Sequence, residues 1–238
     1  MNAPQSAAPV VEMVAGVSAV APGVLWLHAS RTIIAADVHF GYEDAIGGAL
    51  PLWSTDETAT LLGEAIAACG ARELVLLGDI VHSSHLGDGA AAVVVETLDA
   101  LRARCDVVAV AGNHEGRTRG RAILGETVES IERDGWLLLH GDRPPPPGTR
   151  CIVGHLHPSI RLGAEASIPA FLSGPALIVA PALTPYSPGL DVRSDSCARA
   201  VRAFGARIED LAVVGCGEDR VYPFGPVGGL RAATRRTR

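Results

Sequence analysis

A chain of 238 residues, 48% hydrophobic and 19% charged, can bury one substantial core or two small ones and is too apolar to be disordered. All 20 basic residues are Arg, which excludes a phosphate loop built on Lys and any lysine Schiff base. The formal net charge of −6 argues against a protein coated in nucleic acid but leaves room for a local basic patch. Cys69, Cys105, Cys151, Cys197 and Cys216 never approach C-x-x-C spacing, as expected of reduced thiols in a cytoplasmic protein rather than a disulfide frame or zinc ribbon. Met1 to Pro9 lacks the basic and long apolar regions of a signal peptide, and no apolar run reaches the roughly 18 residues needed to span a bilayer.

In chain order, residues 1–15 read as a loose lead-in, 16–230 as one domain and 231–238 as an Arg-rich solvated tail. Val17 to Val20, Val24 to His28 and Ile33 to Val38 are short β-branched runs joined by turn residues, a small meander. Ser54-Thr55-Asp56-Glu57 matches a capping box, opening a helix whose stripe is Leu61, Leu62, Ala65, Ile66 and Cys69 and which Gly70 ends. A buried strand over Glu73 to Ile80, a helix over about Ala90 to Arg104 and a strand over Asp106 to Ala111 follow. Ile123 to Arg133 has helical spacing, Trp136 to Leu139 is a strand, and Pro144 to Pro147 is a rigid surface turn. After a strand from Cys151 to Val153, residues 160–230 are strand-like pieces broken by Pro and Gly, with few helical stripes.

Five of these strands run out into polar residues of metal-ligand type. They are Asp37 and His39, Asp79, Asn113 and His114, His140, and His155 and His157. A lone His at a strand end is usually a satisfied loop residue, but five such ends in one chain are hard to assign to chance. Ligands of α/β sheets collect at the carboxyl ends of strands, and Gly before Asp79, Asn113 and His155 suits close backbone approach. The set mixes carboxylates, an amide and imidazoles without a thiolate, which suits Mn, Fe(II) or Zn. Seven donors among these eight residues, with one carboxylate free to bridge, suit two ions, a device for in-line displacement at phosphorus.

The ordered series Asp-x-His, Gly-Asp, Gly-Asn-His-Glu, His, Gly-His-x-His, over residues from about 17 to 158, resembles the calcineurin-like metallophosphoesterase superfamily. That resemblance implies a four-layer α/β/β/α sandwich of two mixed sheets, with residues 160–230 completing the second. It implies that Asp37, His39 and His157 bind one metal, that Asn113, His140 and His155 bind the other, and that Asp79 bridges them. His114 would act on the phosphate as an acid or electrostatic stabiliser, and the nucleophile would be a hydroxide between the two ions, with Mn the expected cation and Fe or Zn the alternatives. His82, in Gly-Asp-Ile-Val-His-Ser-Ser, looks like the residue that partners the catalytic His in the nuclease and phosphodiesterase branch; its alternative is the start of a loop.

The early meander, the Gly47 to Pro51 loop and Ile168-Pro169-Ala170-Phe171 are similar to the small ligase-associated phosphoesterases of PdeM type. The expected activity is therefore a phosphodiesterase or nuclease with a link to DNA repair, acting on a phosphoester such as nucleic acid. A phosphomonoesterase or cyclic-nucleotide hydrolase on the same site is the alternative, and a metal-poor scaffold of the same fold a second one. Arg117, Arg119 and Arg121 could meet a phosphate backbone or form a solvated basic loop. Asp142 could orient His140 or simply start the proline turn.

Overall fold

Period-two alternation in the central strands sends successive side chains into different cores, and this sorting builds the layers. The computed structural model describes residues 9–47, 51–114, 119–162 and 166–236. Val10–Val14 (β1), Val17–Val20 (β2), Val24–Leu27 (β3), Thr32–Ala36 (β4), Glu73–Leu77 (β5) and Asp106–Val110 (β6) pair in that order as one sheet. β1 to β4 are antiparallel neighbours, whereas β4, β5 and β6 run parallel. The second sheet holds Ser130–Arg133 (β7), Trp136–Leu139 (β8), Cys151–Val153 (β9), Pro158–Arg161 (β10), Ser167–Ser173 (β11), Leu177–Val179 (β12), Leu190–Asp191 (β13), Ala212–Cys216 (β14) and Val221–Pro226 (β15). Its order is β13-β10-β11-β12-β9-β8-β7, with β14 on β11 and β15 on β14. The helices are Tyr42–Ala45 (α1), Trp53–Cys69 (α2), Asp88–Arg102 (α3), Arg119–Leu124 (α4), Asp195–Arg202 (α5) and Val227–Arg236 (α6).

In β4 and β5, Ile33, Ala35, Leu74 and Leu76 face Leu62, Ile66, Val94 and Leu98 of α2 and α3. The alternate residues Ile34, Ala36, Val75 and Leu77 face Trp136, Leu138, Ile152, Phe171 and Ile178 of the second sheet. On the far side of that sheet, Cys151, Val153, Leu172 and Val179 pack with Cys197, Val201 and Val227 of α5 and α6. Three apolar seams between four layers give the α/β/β/α sandwich. Each buried Leu, Ile or Phe contributes about 1.5–3 kcal/mol.

Four local expectations are corrected. Val10–Val14 is an edge strand on β2 rather than part of a loose lead-in, and Gly16 turns it back at φ 78°. The run Ile123 to Arg133 is not a helix. Gly125, at φ 77°, follows the end of α4, and Ser130–Arg133 hairpins onto β8 through Asp134-Gly135, both in the left-handed region that a two-residue hairpin turn needs. The Ser54 capping box does not form. α2 starts two residues earlier, with Leu52 as its N-cap, and the buried carboxylate of Glu43 takes the Ser54 N–H at 2.7 Å and its hydroxyl at 2.8 Å. The Arg-rich end is no free tail as far as residue 236. It continues α6, with Arg231 bonded to Glu209 at 3.0 Å and to Asp195.

One ion pair ties the two sheets together. Arg133, ending β7, donates to both oxygens of Glu73, opening β5, at 2.6 and 2.8 Å, and Thr32 adds a third bond at 2.9 Å. Burial alone would raise the Glu73 carboxyl, but the bonds from Arg133 and Thr32 outweigh it and hold the group below its ordinary value. Arg133→Ala is expected to cost about 1.5–3 kcal/mol in urea denaturation at pH 7. Because the folded carboxyl is depressed, this contribution is complete above the ordinary Glu value near ~4.3 and is lost as pH falls through the lower folded one. The gap between wild type and variant should therefore narrow below about pH 4.

Candidate metal centre

The parallel strands β4, β5 and β6 end at one edge of the first sheet, and β8 and β9 end against them from the second. The loops after β4 and β5 zip together through His39 N–H to Asp79 O at 3.0 Å, Phe40 N–H to Ile80 O at 2.8 Å and His82 N–H to Phe40 O at 3.0 Å. Asp37 is fully buried, and its Oδ2 accepts the His155 N–H at 2.7 Å across the seam between the sheets. Asp79 Oδ1 accepts the N–H groups of Asn113 and His114, both at 2.9 Å. The approach is close enough to require glycine. A Cβ on Gly112 would stand 2.0 Å from the Asp79 nitrogen, and one on Gly78 would stand 2.0 Å from His140 Nδ1.

These contacts gather all seven candidate ligands and both candidate catalytic histidines in one place. The donor atoms of Asp37, His39 and His157 form one group lying within 4.8 Å of one another, and those of Asp79, His140 and His155 form a second. Around His140 Nε2 stand Asn113 Oδ1 at 2.8 Å, His155 Nδ1 at 3.1 Å and Asp79 Oδ2 at 3.4 Å. One ring nitrogen cannot satisfy three such neighbours, and a shared cation can. Between the groups, Asp37 Oδ1 and His140 Nδ1 face each other at 3.4 Å, buried and without a hydrogen-bond partner. Buried polar atoms are rarely left so. The donor set therefore fits divalent metal.

The imidazoles are tuned to the same end. Burial, with His157, His82 and His114 nearby, brings His39 down to about 3 against the pull of Asp79. Burial also lowers His155 and His82, so these rings are neutral lone-pair donors at pH 7. His157 moves the other way. Burial would lower it, but its bond to Asp37 and the charge there raise it.

His82 holds His114, but through its main chain. His114 Nδ1 meets the His82 carbonyl oxygen at 2.9 Å, while the His82 ring lies 3.1 Å from His39, Nδ1 to Nδ1. His39, His82 and His114 thus form a third cluster that spacing alone does not suggest. Asp142 pairs with Arg143 at 3.7 Å rather than with His140, whose Nδ1 is turned to Asp37. Of the three arginines after His114, Arg117 lies outside the described residues, and Arg119 and Arg121 are described only as backbone of α4. A partner missed in the sequence is Ser187, whose Oγ lies 2.9 Å from His157 Nδ1. It arrives on the segment after β12, which Leu183 N–H ties to the Ala36 carbonyl at 2.9 Å, and no ligand-type residue marks that segment. A cleft of about 640 Å³, lined by Asn113, His140, Asp142, Arg143 and the first prolines of the run, opens on the second group.

Residues 30–171 match the family model for the calcineurin-like phosphoesterase. The chain belongs to that family. Solved structures of similar fold include the Pseudomonas putida nuclease MPE, 21% identical, covering 92% of this chain and 100% of that one with a TM-score of 0.69. The Escherichia coli phosphoesterase YfcE is 19% identical over 67% of this chain and 83% of its own, with a TM-score of 0.41. No curated protein matches in sequence. Members of the calcineurin-like family are phosphoester hydrolases, and among the described residues of this one no helix is long and apolar enough to cross a membrane.

The close approach at Gly112 makes a sharp prediction. Gly112→Ala drives a methyl into the Asp79 backbone and should cost about 3 kcal/mol or more. Gly229→Ala, in α6 with open space around it, should be neutral or stabilising by up to ~1 kcal/mol. Urea midpoints of the two variants test the contrast.

Proposed function

We propose that this protein is a dinuclear metal-dependent phosphodiesterase of nuclease type, with Mn as the favoured cation. The observation that carries the reading is the convergence of two donor groups, Asp37/His39/His157 and Asp79/His140/His155, at the joint between the sheets. In this reading Asp37, His39 and His157 hold one cation, Asn113, His140 and His155 hold a second, and Asp79 serves both. Oxygen and imidazole donors without thiolate suit Mn, with Fe and Zn as the other choices. When bound, the cations supply positive charge against the phosphate oxygens and acidify water.

The chain's own residues do the rest. The carbonyl of His82 takes the Nδ1 proton of His114, fixing the ring and leaving Nε2 to hold the proton that a departing ester oxygen requires. His114 is 40% exposed, so substrate can reach it. Asp79 Oδ2 lies 3.8 Å from that Nε2. The open cleft beside Asn113 and His140 offers room for a second ester arm, which supports a diester over a monoester. The fold shared with nuclease MPE supports the same substrate class.

The test is direct. Protein stripped by chelator and reloaded with Mn should hydrolyse bis-4-nitrophenyl phosphate much faster than 4-nitrophenyl phosphate. Asp79→Asn should lose both bound metal and turnover. His114→Ala should keep its metal, counted by elemental analysis, and lose about 10²–10⁴-fold in kcat. Turnover of the monoester alone would replace the diester assignment, and absence of metal and of turnover would leave a scaffold.

A further inference from the structure

Beside the metal centre lies an aromatic stack that the chemistry above does not use. Tyr42 packs 4.6 Å from the His82 ring, and Tyr186 lies on Tyr42 with centroids 4.2 Å apart and planes only 12° from parallel. Tyr186 is held in place from its edge, where its hydroxyl donates to the buried carboxylate of Glu43 at 3.2 Å. The next residue, Ser187, bonds His157. The ring is therefore fixed by Glu43 and Tyr42 within one residue of a contact to a candidate ligand. It still keeps 39% of its surface exposed. Among the described residues, Trp53, Tyr186 and Tyr222 are the exposed Phe, Trp or Tyr side chains. Trp53, 63% exposed, precedes the Ser54 that shares Glu43 with Tyr186.

A rigid ring with one face covered and the rest in water is the form of a base-stacking platform. Its position matches what a diester site needs, since the base adjoining the reacting phosphate lies one nucleoside away from it. With a net charge of −6 and no Lys, the chain has little means of tracking a long phosphate backbone, so base contact is the grip left to it. We infer that Tyr186, backed by Tyr42, stacks the nucleobase next to the scissile phosphodiester of a single strand. This rests on the reading of the centre as a phosphodiesterase and names its substrate-binding residue.

The test uses the full chain and a short single-stranded oligodeoxynucleotide carrying 2-aminopurine, whose fluorescence falls when the base stacks. Binding should quench it without any turnover. The quench should disappear in Tyr186→Ala and persist in Tyr186→Phe, which keeps the ring and drops the hydroxyl. In Mn-loaded protein, kcat/KM for the base-bearing strand should exceed that for a strand with an abasic residue on order of tenfold. That preference should collapse toward one in Tyr186→Ala and survive in Tyr186→Phe. A quench unaffected by Tyr186→Ala, or an equal loss on both strands that keeps the preference, would overturn the inference and leave Tyr186 as a strut for the His157 segment. Diester turnover with no quench would also overturn it while sparing the phosphodiesterase reading. A Tyr186-dependent quench without turnover would uphold the platform and sink the hydrolytic reading.

Discussion

Two carboxylates buried in the joint between two sheets set the terms for everything around them. Asp37 and Asp79 are almost wholly removed from solvent, and an unpaired anion there would be neutralised rather than tolerated. Backbone N–H groups answer one oxygen of each: His155 donates to Asp37, and Asn113 and His114 donate to Asp79. The remaining oxygens, Asp37 Oδ1 and Asp79 Oδ2, are left to the two ring nitrogens of His140, each at 3.4 Å and without a good hydrogen bond. Although burial would raise the Asp79 carboxyl, His140 and the His114 N–H bond outweigh it and keep the group below its ordinary value. Carboxylate oxygens and ring nitrogens crowd together there without good hydrogen bonds between them, an arrangement that a shared cation would complete.

Holding those groups together strains the chain. Among the described residues seven non-glycine positions have positive φ, and five of them are Asp37, His39, Asp79, His155 and His157. Each left-handed residue with a side chain costs about 1–2 kcal/mol. Such conformations persist only where the surroundings over-determine them. Here the surroundings are the three apolar seams, which fix where β4, β5 and β9 stop. The left-handed residues break the strand alternation at the end that carries the donor groups, so that Asp37 and His39 need not follow Ile33 and Ala35 towards the helices.

The strands that carry the site were legible because they are fully buried apolar runs, each closed by a polar ligand type. β8 and β9 fall where the sequence places them, and the nine candidate residues come together. Legibility failed where a remote partner replaced a local one. Ser54 looks like a cap because its neighbours suit one, yet the carboxylate that caps α2 is Glu43, which precedes it by 11 residues. Asp134-Gly135 is itself a hairpin signal, but the apolar spacing around Ile123 and Ile131 masked it. The His82 carbonyl could not be foreseen at all, since a backbone oxygen leaves no mark in sequence. Ser187 and Tyr186 were invisible for another reason: their segment acquires meaning only when a crossing from the second sheet lays it on the first.

That crossing gives the long strand-rich C-terminal half its bearing on the site. β12 pairs parallel with β9, so the chain leaves both strands at the same edge. From there Ala182 bridges Ala36 at the end of β4, and the segment runs on to place Tyr186 on Tyr42 and Ser187 on His157. One element thus touches the first donor group, the aromatic stack and, through Glu43, the start of α2. The sheets are joined at one end of the seam by Arg133 and Glu73, and at the other by this segment and the donor groups themselves. Sliding one sheet against the other would pull the two donor groups apart, so the packing that stabilises the sandwich is the same packing that sets the spacing of the donors.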